Sequence, residues 1–317
     1  MEKRTVIITG GNSGLGYQCA KNIANRDNNY NIILACRNKE RASSAVKRLK
    51  EETGNKNIYS IELDLSSLDS VRNSYKEFCD NNFGNLYGIV CNAGFNRQPL
   101  EYTKDGFESH FGACHLGHFL FVNLFLNKMS NNGRIIFVSS DMHKPPKVMS
   151  LTTPKLGKVE DIAFLGKNKN ATFKEKNLRY SMAKLCNILC AYEMADRLSK
   201  INSKITVNAF NPGLMTDTNF MPLANSKILK NIIKVGSTLV AKTTNRYGSG
   251  STSGKALSNL ITEDKFEGIS GKYFDRTKET PVNSSKPSYD NNARIRLWEE
   301  SVRYSNLQEK ETILPIL

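Results

Sequence analysis

The stretch that most constrains this chain is Thr9–Gly16, TGGNSGLG, which closes an apolar run (TVIIT, Thr5–Thr9) and opens a helical pattern from Leu15 to about Asn25. A phosphate-bearing cofactor needs backbone N–H groups aimed at it with no side chain in the way, and a helix N-terminus adds a favourable dipole. Gly10, Gly14 and Gly16 supply that clearance, with Asn12, Ser13 and Leu15 completing the turn. Glycine also serves ordinary tight turns. Here a second apolar run, Asn31–Cys36, completes a strand–helix–strand unit within about thirty residues. The expectation is a dinucleotide site on this turn.

The pattern then repeats. NIILAC is followed by a charged helix over Lys39–Thr53, IYSIEL by a helix from Leu68 to about Asp80, and YGIVC by a helix over Asp105–Met129. GRIIFVSS occupies Gly133–Ser140, and ITVNAF (Ile205–Phe210) follows a helix from about Leu178 to Ser199. Continuous apolar strands separated by helices imply a parallel sheet covered on both faces. A chain of 317 residues can form one large α/β domain or two smaller ones. No internal repeat or linker separates a second domain, so a single doubly wound α/β domain over 1–317 is expected, with ligands at the C-terminal strand ends.

Two stretches break the rhythm. Residues 141–177 are polar, rich in Lys and Asn, and contain PPK at Pro145–Lys147; this insert is either a binding loop or a mobile excursion. A substrate-side helical segment is expected over about 214–250. There KILKNIIKVGSTLVAK spaces Ile228, Leu229, Ile232, Ile233 and Val235 near helical period with lysines between. Such a helix lies on a membrane, covers a substrate pocket, or packs on its own core.

The net charge of +15 raises the question of polyanionic partners. No extended block of Lys or Arg and no aromatic-interleaved basic motif is present, so nucleic acid is not expected as a partner. The seven cysteines are odd in number, lie mostly in apolar runs and form no CxxC pair, the pattern of reduced thiols in a cytosolic protein. The first strand begins by Thr5, leaving no room for a secretory signal, and FLFVNLFL (Phe119–Leu126) is far short of the ~20 residues of a membrane span. A soluble cytoplasmic protein is expected.

Tyr180 and Lys184 lie four residues apart, on one helical face. A phenol titrating near ~10 is a poor acid/base at neutral pH, but an adjacent ammonium stabilises the phenolate and lowers its pKa. The pair follows a strand ending in Ser139 and Ser140, where a hydroxyl can hydrogen-bond a substrate carbonyl.

TGGNSGLG, Asp64 in LDLSS, Cys91-Asn92-Ala93-Gly94, Val138-Ser139-Ser140, Tyr180-x-x-x-Lys184 and Asn211-Pro212-Gly213 occur in an order and spacing that resembles the short-chain dehydrogenase/reductases across essentially the whole chain. HLGHFLF (His115–Phe121), ACR (Ala35–Arg37), GKYF (Gly271–Phe274) and LWEES (Leu297–Ser301) resemble the retinol dehydrogenase and light-dependent protochlorophyllide reductase branch. VCNAG, the PPK-containing insert and KLCN (Lys184–Asn187) lean toward the reductase side.

The resemblance implies a Rossmann fold in which Tyr180 is the general acid/base, Lys184 holds the nicotinamide ribose and tunes Tyr180, and Ser140 orients the carbonyl oxygen. It places Asn92, Ala93 and Gly94 beside the cofactor, Asp64 and Leu65 at the adenine, and Pro212, Gly213 and Thr216 at the nicotinamide. Asp64 has the alternative role of capping the helix after it. An NAD enzyme of this fold usually ends its second strand in an acid, whereas this strand ends in Cys36-Arg37. A guanidinium suits a 2′-phosphate, so NADPH/NADP+ is expected over NADH, with Asn12 and Lys39 assisting.

Two departures stand out. Cys114 occupies the position before HLGHF where the family usually has an Asn that anchors a water of the proton relay, and a thiol is a weak hydrogen-bonding group. Leu214 follows the Pro-Gly where protochlorophyllide reductases typically carry a cysteine, and Cys186 reads as a packing residue. The leading expectation is therefore an NADPH-dependent oxidoreductase interconverting a carbonyl and an alcohol on a small hydrophobic substrate, without a metal. The alternatives are reduction of a conjugated double bond in the manner of protochlorophyllide reductase, which Leu214 opposes, and a cofactor-binding scaffold or sensor with little turnover, which Cys114 supports. The resemblance permits a homodimer through the helices at Asp105–Met129 and Leu178–Ser199, and the positive charge permits peripheral contact with an anionic membrane.

Overall fold

Strand β1 (Arg4–Thr9) is flanked by β2 (Tyr30–Cys36) and β4 (Asn85–Cys91), both parallel to it. In the computed structural model, which describes residues 3–26, 29–96, 99–145, 151–165, 173–215 and 247–316, these strands lie in a seven-stranded parallel sheet. It includes β3 (Ile58–Glu62), β5 (Met129–Val138) and β6 (Thr206–Asn211). Leu214–Met215 (β7) and Tyr247–Gly248 (β8) form a separate short pair, and β9 (Tyr273–Asp275) completes the main sheet. The strand order is β3-β2-β1-β4-β5-β6-β9. The order reverses between β1 and β4, the crevice where such sheets bind ligands.

Alternation along each strand feeds two cores. Val6 and Ile8 pack against α1 (Gly14–Arg26) and α2 (Lys39–Thr53), whereas Ile7 faces α3 (Leu68–Asp80). The expected boundaries of α2 hold because Asn38 caps its start, accepting from Arg41 N–H at 2.8 Å, and Gly54 ends it in the left-handed region at φ +72°. Ser67, not Asp64, caps α3.

The helix expected over Asp105–Met129 begins later and is not uniform. It runs through α4 (Ser109–Phe111), a π-helical turn (Gly112–Leu116) and α5 (Gly117–Phe125). Its start is delayed because the Glu108 carboxylate caps it, accepting from Phe111 N–H at 2.9 Å. In the insert, Leu156, Val159 and Ala163, around the short helix α6 (Glu160–Ala163), are buried with Phe107, Phe111 and Met182. Residues 151–165 are therefore packed structure rather than an excursion. Helix α7 (Phe173–Lys200) starts five residues before the expected Leu178.

Two helices were not foreseen. α8 (Gly250–Thr262) packs so closely on α1 that a Cβ on Gly254 would lie 2.5 Å from Gln18 Cβ. α9 (Asn291–Ser305), which contains the LWEES stretch, lies on α5 and α7. The amphipathic lysine-rich stretch and Thr216 lie outside the described residues. No helix among the described residues is long and apolar enough to cross a membrane, and all seven cysteines are free.

Candidate active site

Gly10 and Gly14 sit at φ +64° and +55°, so both use the left-handed region open to glycine. Gly16 is required for a different reason: a Cβ there would lie 2.6 Å from Asn92 Nδ2 and 2.7 Å from the Gly10 carbonyl. The first helical bond of α1 runs from Tyr17 N–H to Ser13 O at 3.2 Å. The N–H groups of Gly14, Leu15 and Gly16 thus fall outside the helical ladder, as an anion at this terminus requires. Ser13 is exposed beside them and Asn12 half-buried.

Asn92 and Ala93 buttress this turn from β4. Asn92 Nδ2 donates to Thr9 O at 2.8 Å, and the N–H groups of Asn92 and Ala93 both reach Thr9 Oγ1 at 2.9 Å. His118 Nε2 lies 2.8 Å from the same oxygen. Sequence reasoning missed Thr9 and His118, although the second histidine of HLGHF was the available signal.

At the far end of β2, Arg37 is exposed and makes no ion pair among the described residues. Lys39, expected to assist it, is instead paired with Glu62 at 2.9 Å. Asp64 Oδ1 accepts from the Ser66 N–H at 3.1 Å and hydroxyl at 2.6 Å, forming a local turn. Burial works against its charge, yet Ser66, Arg37 and Lys104 together hold the carboxyl below its usual range. Leu65 is buried against Gly117. Burial also pushes the Cys36 thiol up to about 11, opposed by the N–H groups of Asn12, Gly11 and Gly10 directed at it.

Tyr180 and Lys184 occupy successive turns of α7 and are 4% and 2% exposed. Ser139 Oγ donates to Lys184 O at 2.8 Å, locking the end of β5 to the helix. The Ser140 side chain stands beside the Tyr180 phenol, close enough to act on its proton affinity. Lys184 Nζ donates to Val138 O at 2.9 Å and lies 5.7 Å from the Tyr180 ring centroid.

The expected lowering of the phenol pKa by Lys184 does not occur. Burial pushes Tyr180 above its ordinary value, with Ser140 opposing, and burial also lowers Lys184. The phenol is therefore protonated at neutral pH. A Cβ on Gly94 would lie 3.5 Å from Lys184 Nζ and 3.6 Å from Cys114 Sγ, so these three residues converge. Cys114 is fully buried; burial raises its thiol against the Lys184 ammonium and the Phe95 N–H.

Pro212 and Gly213 close the site from β6. Gly213, at φ +72°, donates its N–H to Asn211 Oδ1 at 3.0 Å, while Pro212 O accepts from Ser253 Oγ at 2.7 Å. The Arg276 guanidinium lies so close over Gly213 that any Cβ there would collide with it, a contact the sequence did not disclose. The glycine turn, Ser140 and Pro212-Gly213 follow the C-terminal ends of β1, β5 and β6, and Lys184 reaches the end of β5 from α7. Among the described residues no group of three His, Cys, Asp or Glu side chains could hold a metal.

A family model for short chain dehydrogenase matches residues 4–151. Retinol dehydrogenase 13 of Homo sapiens is 32% identical over 96% of this chain and 85% of its own length. WW domain-containing oxidoreductase of Danio rerio is 32% identical over 98% of this chain and 70% of its own. Among solved structures, an uncharacterized protein from Mycobacterium Paratuberculosis superposes with a TM-score of 0.70 at 25% identity, covering 99% of this chain and 96% of that one. Fold and relatives together define an NAD(P)-dependent oxidoreductase. The chain belongs to the short-chain dehydrogenase/reductase family.

Proposed function

We propose that this protein is an NADPH-dependent oxidoreductase that interconverts a carbonyl and an alcohol on a small hydrophobic substrate. The observation that carries the reading is the buried Tyr180 phenol beside Ser140, with Lys184 one turn along α7 and its ammonium on the carbonyl at the end of β5. The turn fits a dinucleotide, because three N–H groups stand outside the α1 ladder at a helix start built on glycines. The bound dinucleotide supplies the hydride. Ser140 orients the substrate oxygen, and Tyr180, kept protonated by burial, gives its proton to that oxygen as it gains negative charge. Lys184 would hold the ribose, Arg37 would meet the 2′-phosphate, and Asp64, Leu65, Asn92, Ala93, Gly94, Pro212 and Gly213 would line the cofactor.

A hydrophobic substrate is supported by the apolar alcohol in the name of retinol dehydrogenase 13. On this reading the chain is one catalytic domain in the cytoplasm. Its net charge of +15 supports peripheral contact with anionic membranes, against which salt-insensitive liposome co-sedimentation would count. Cys114 favours a second reading, a cofactor-binding scaffold with little turnover. Reduction of hexanal, decanal and retinaldehyde by NADPH separates the two. Tyr180→Phe is expected to lower kcat about a hundredfold or more while NADPH still binds; unchanged turnover in that variant would sink the enzyme reading as stated.

A further inference from the structure

Lys184 is not the only buried ionisable side chain beside Tyr180. The His110 ring lies 6.2 Å from the Tyr180 ring, centroid to centroid, with the planes at 73°. His110 is fully buried and Glu108 is 1% exposed. His110 Nδ1 donates to Glu108 Oε1 at 2.7 Å, and Phe95 packs on the imidazole with centroids 5.2 Å apart. The other Glu108 oxygen accepts from Phe111 N–H at 2.9 Å.

Stability does not account for this pair. A buried carboxylate and imidazole carry a desolvation penalty that an apolar pair of similar volume avoids. The cap on α4 needs an acceptor at position 108, but it does not need an imidazole at 110. His110 and Cys114 are four residues apart on the segment that faces α7, and the thiol at 114 is a poor hydrogen-bonding group. The polar side chain that this segment brings to the Tyr180 ring is therefore His110.

We propose that Glu108 and His110 form a positioning pair for Tyr180. Glu108 fixes the imidazole through Nδ1–H, and the fixed imidazole holds the phenol ring in the orientation that directs its hydroxyl at the substrate oxygen. The proposal rests on the reading of Tyr180 as the acid/base.

The test is the double variant Glu108→Gln/His110→Phe, which keeps an acceptor for Phe111 N–H and an aromatic ring against Phe95 while leaving no buried unpaired charge. With decanal and NADPH it is expected to lose about tenfold in kcat, because its ring is no longer anchored, with KM, NADPH affinity and melting temperature close to wild type. A kcat within about twofold of wild type would show that any ring of this size suffices and would overturn the proposal. So would a joint collapse of kcat, NADPH affinity and melting temperature, which marks a structural role only. Tyr180→Phe in the same assay separates the two ideas. If it is inactive while the double variant is normal, only the positioning pair falls. If it keeps wild-type turnover, or if the wild type reduces none of the three aldehydes, both fall.

Discussion

On the proposed reading, Arg37 is the residue on which cofactor choice turns. Lys39 is held by Glu62, and Asp64 is engaged by Ser66 with Lys104 3.6 Å away, while the Arg37 guanidinium is exposed at the end of β2 with no ion pair among the described residues. A charge-assisted contact with a phosphate contributes about 1.5–3 kcal/mol, so Arg37→Ala is expected to weaken NADPH about ten- to a hundredfold and leave NADH nearly unchanged. Nucleotide fluorescence measures both, and equal losses for the two nucleotides would contradict the role. The glycines, Arg37, Ser140, Tyr180 and Lys184 were legible because each belongs to a short local pattern. Thr9 with His118 and Gly213 with Arg276 were not, since those contacts join residues 109 and 63 positions apart. The direction of the Tyr180 shift was misread for the same reason: burial belongs to the folded chain, not to a four-residue spacing.

At the scale of elements, the segment from Ser109 to Phe125 shows what periodicity cannot reveal. A π-helical turn adds about one residue to a repeat of ~3.6, so the apolar pattern continues through it and reads as one helix. The same segment carries a consequence for pH. Burial lowers His115 to about 3 and His118 to about 4, and on the turn after β5 it lowers His143 to about 4. Each group binds a proton in the unfolded chain from about pH 6.5 downward but resists it in the folded one. Stability is therefore full above about pH 6.5 and falls as the pH drops toward 4, by about 1.4 kcal/mol per pH unit for each histidine. The paired carboxylates of Glu52 and Asp64 act in the same direction but in a lower window, because their pKa values begin near ~4 and are lowered further. The melting temperature should drop steadily between pH 7 and 5; a flat profile would mean that these histidines are not held neutral in the fold.

At the scale of the molecule, the decisive arrangement is the cover that the C-terminal region places over α5 and α7, the two helices through which the family resemblance permitted a dimer. Every residue of α5 from Gly117 to Phe125 is buried, as is α7 from Tyr180 to Ala195. Much of the cover is α9. Trp298 packs edge-on to Phe119 with centroids 4.9 Å apart, Arg197 lies 4.7 Å over its ring, and Ser301 Oγ meets His115 Nε2 at 3.0 Å. Beyond α9, Arg72 is hydrogen-bonded to the carbonyls of Ser305 and Asn306 at 3.0 Å and paired with Glu311, while Leu314 is buried in the same core. A partner could reach α5 or the stretch of α7 from Tyr180 to Ala195 only by displacing packed structure, and exposing Trp298 and its neighbours costs several kcal/mol. Sedimentation is accordingly expected to give the monomer mass of 35.6 kDa. Trp298→Ala, which opens a cavity under α9, should lower stability by about 3–5 kcal/mol. If the variant is destabilised and forms a dimer while the wild type does not, the covering layer is what keeps the helix faces apart; a dimeric wild type would refute the monomer expectation outright.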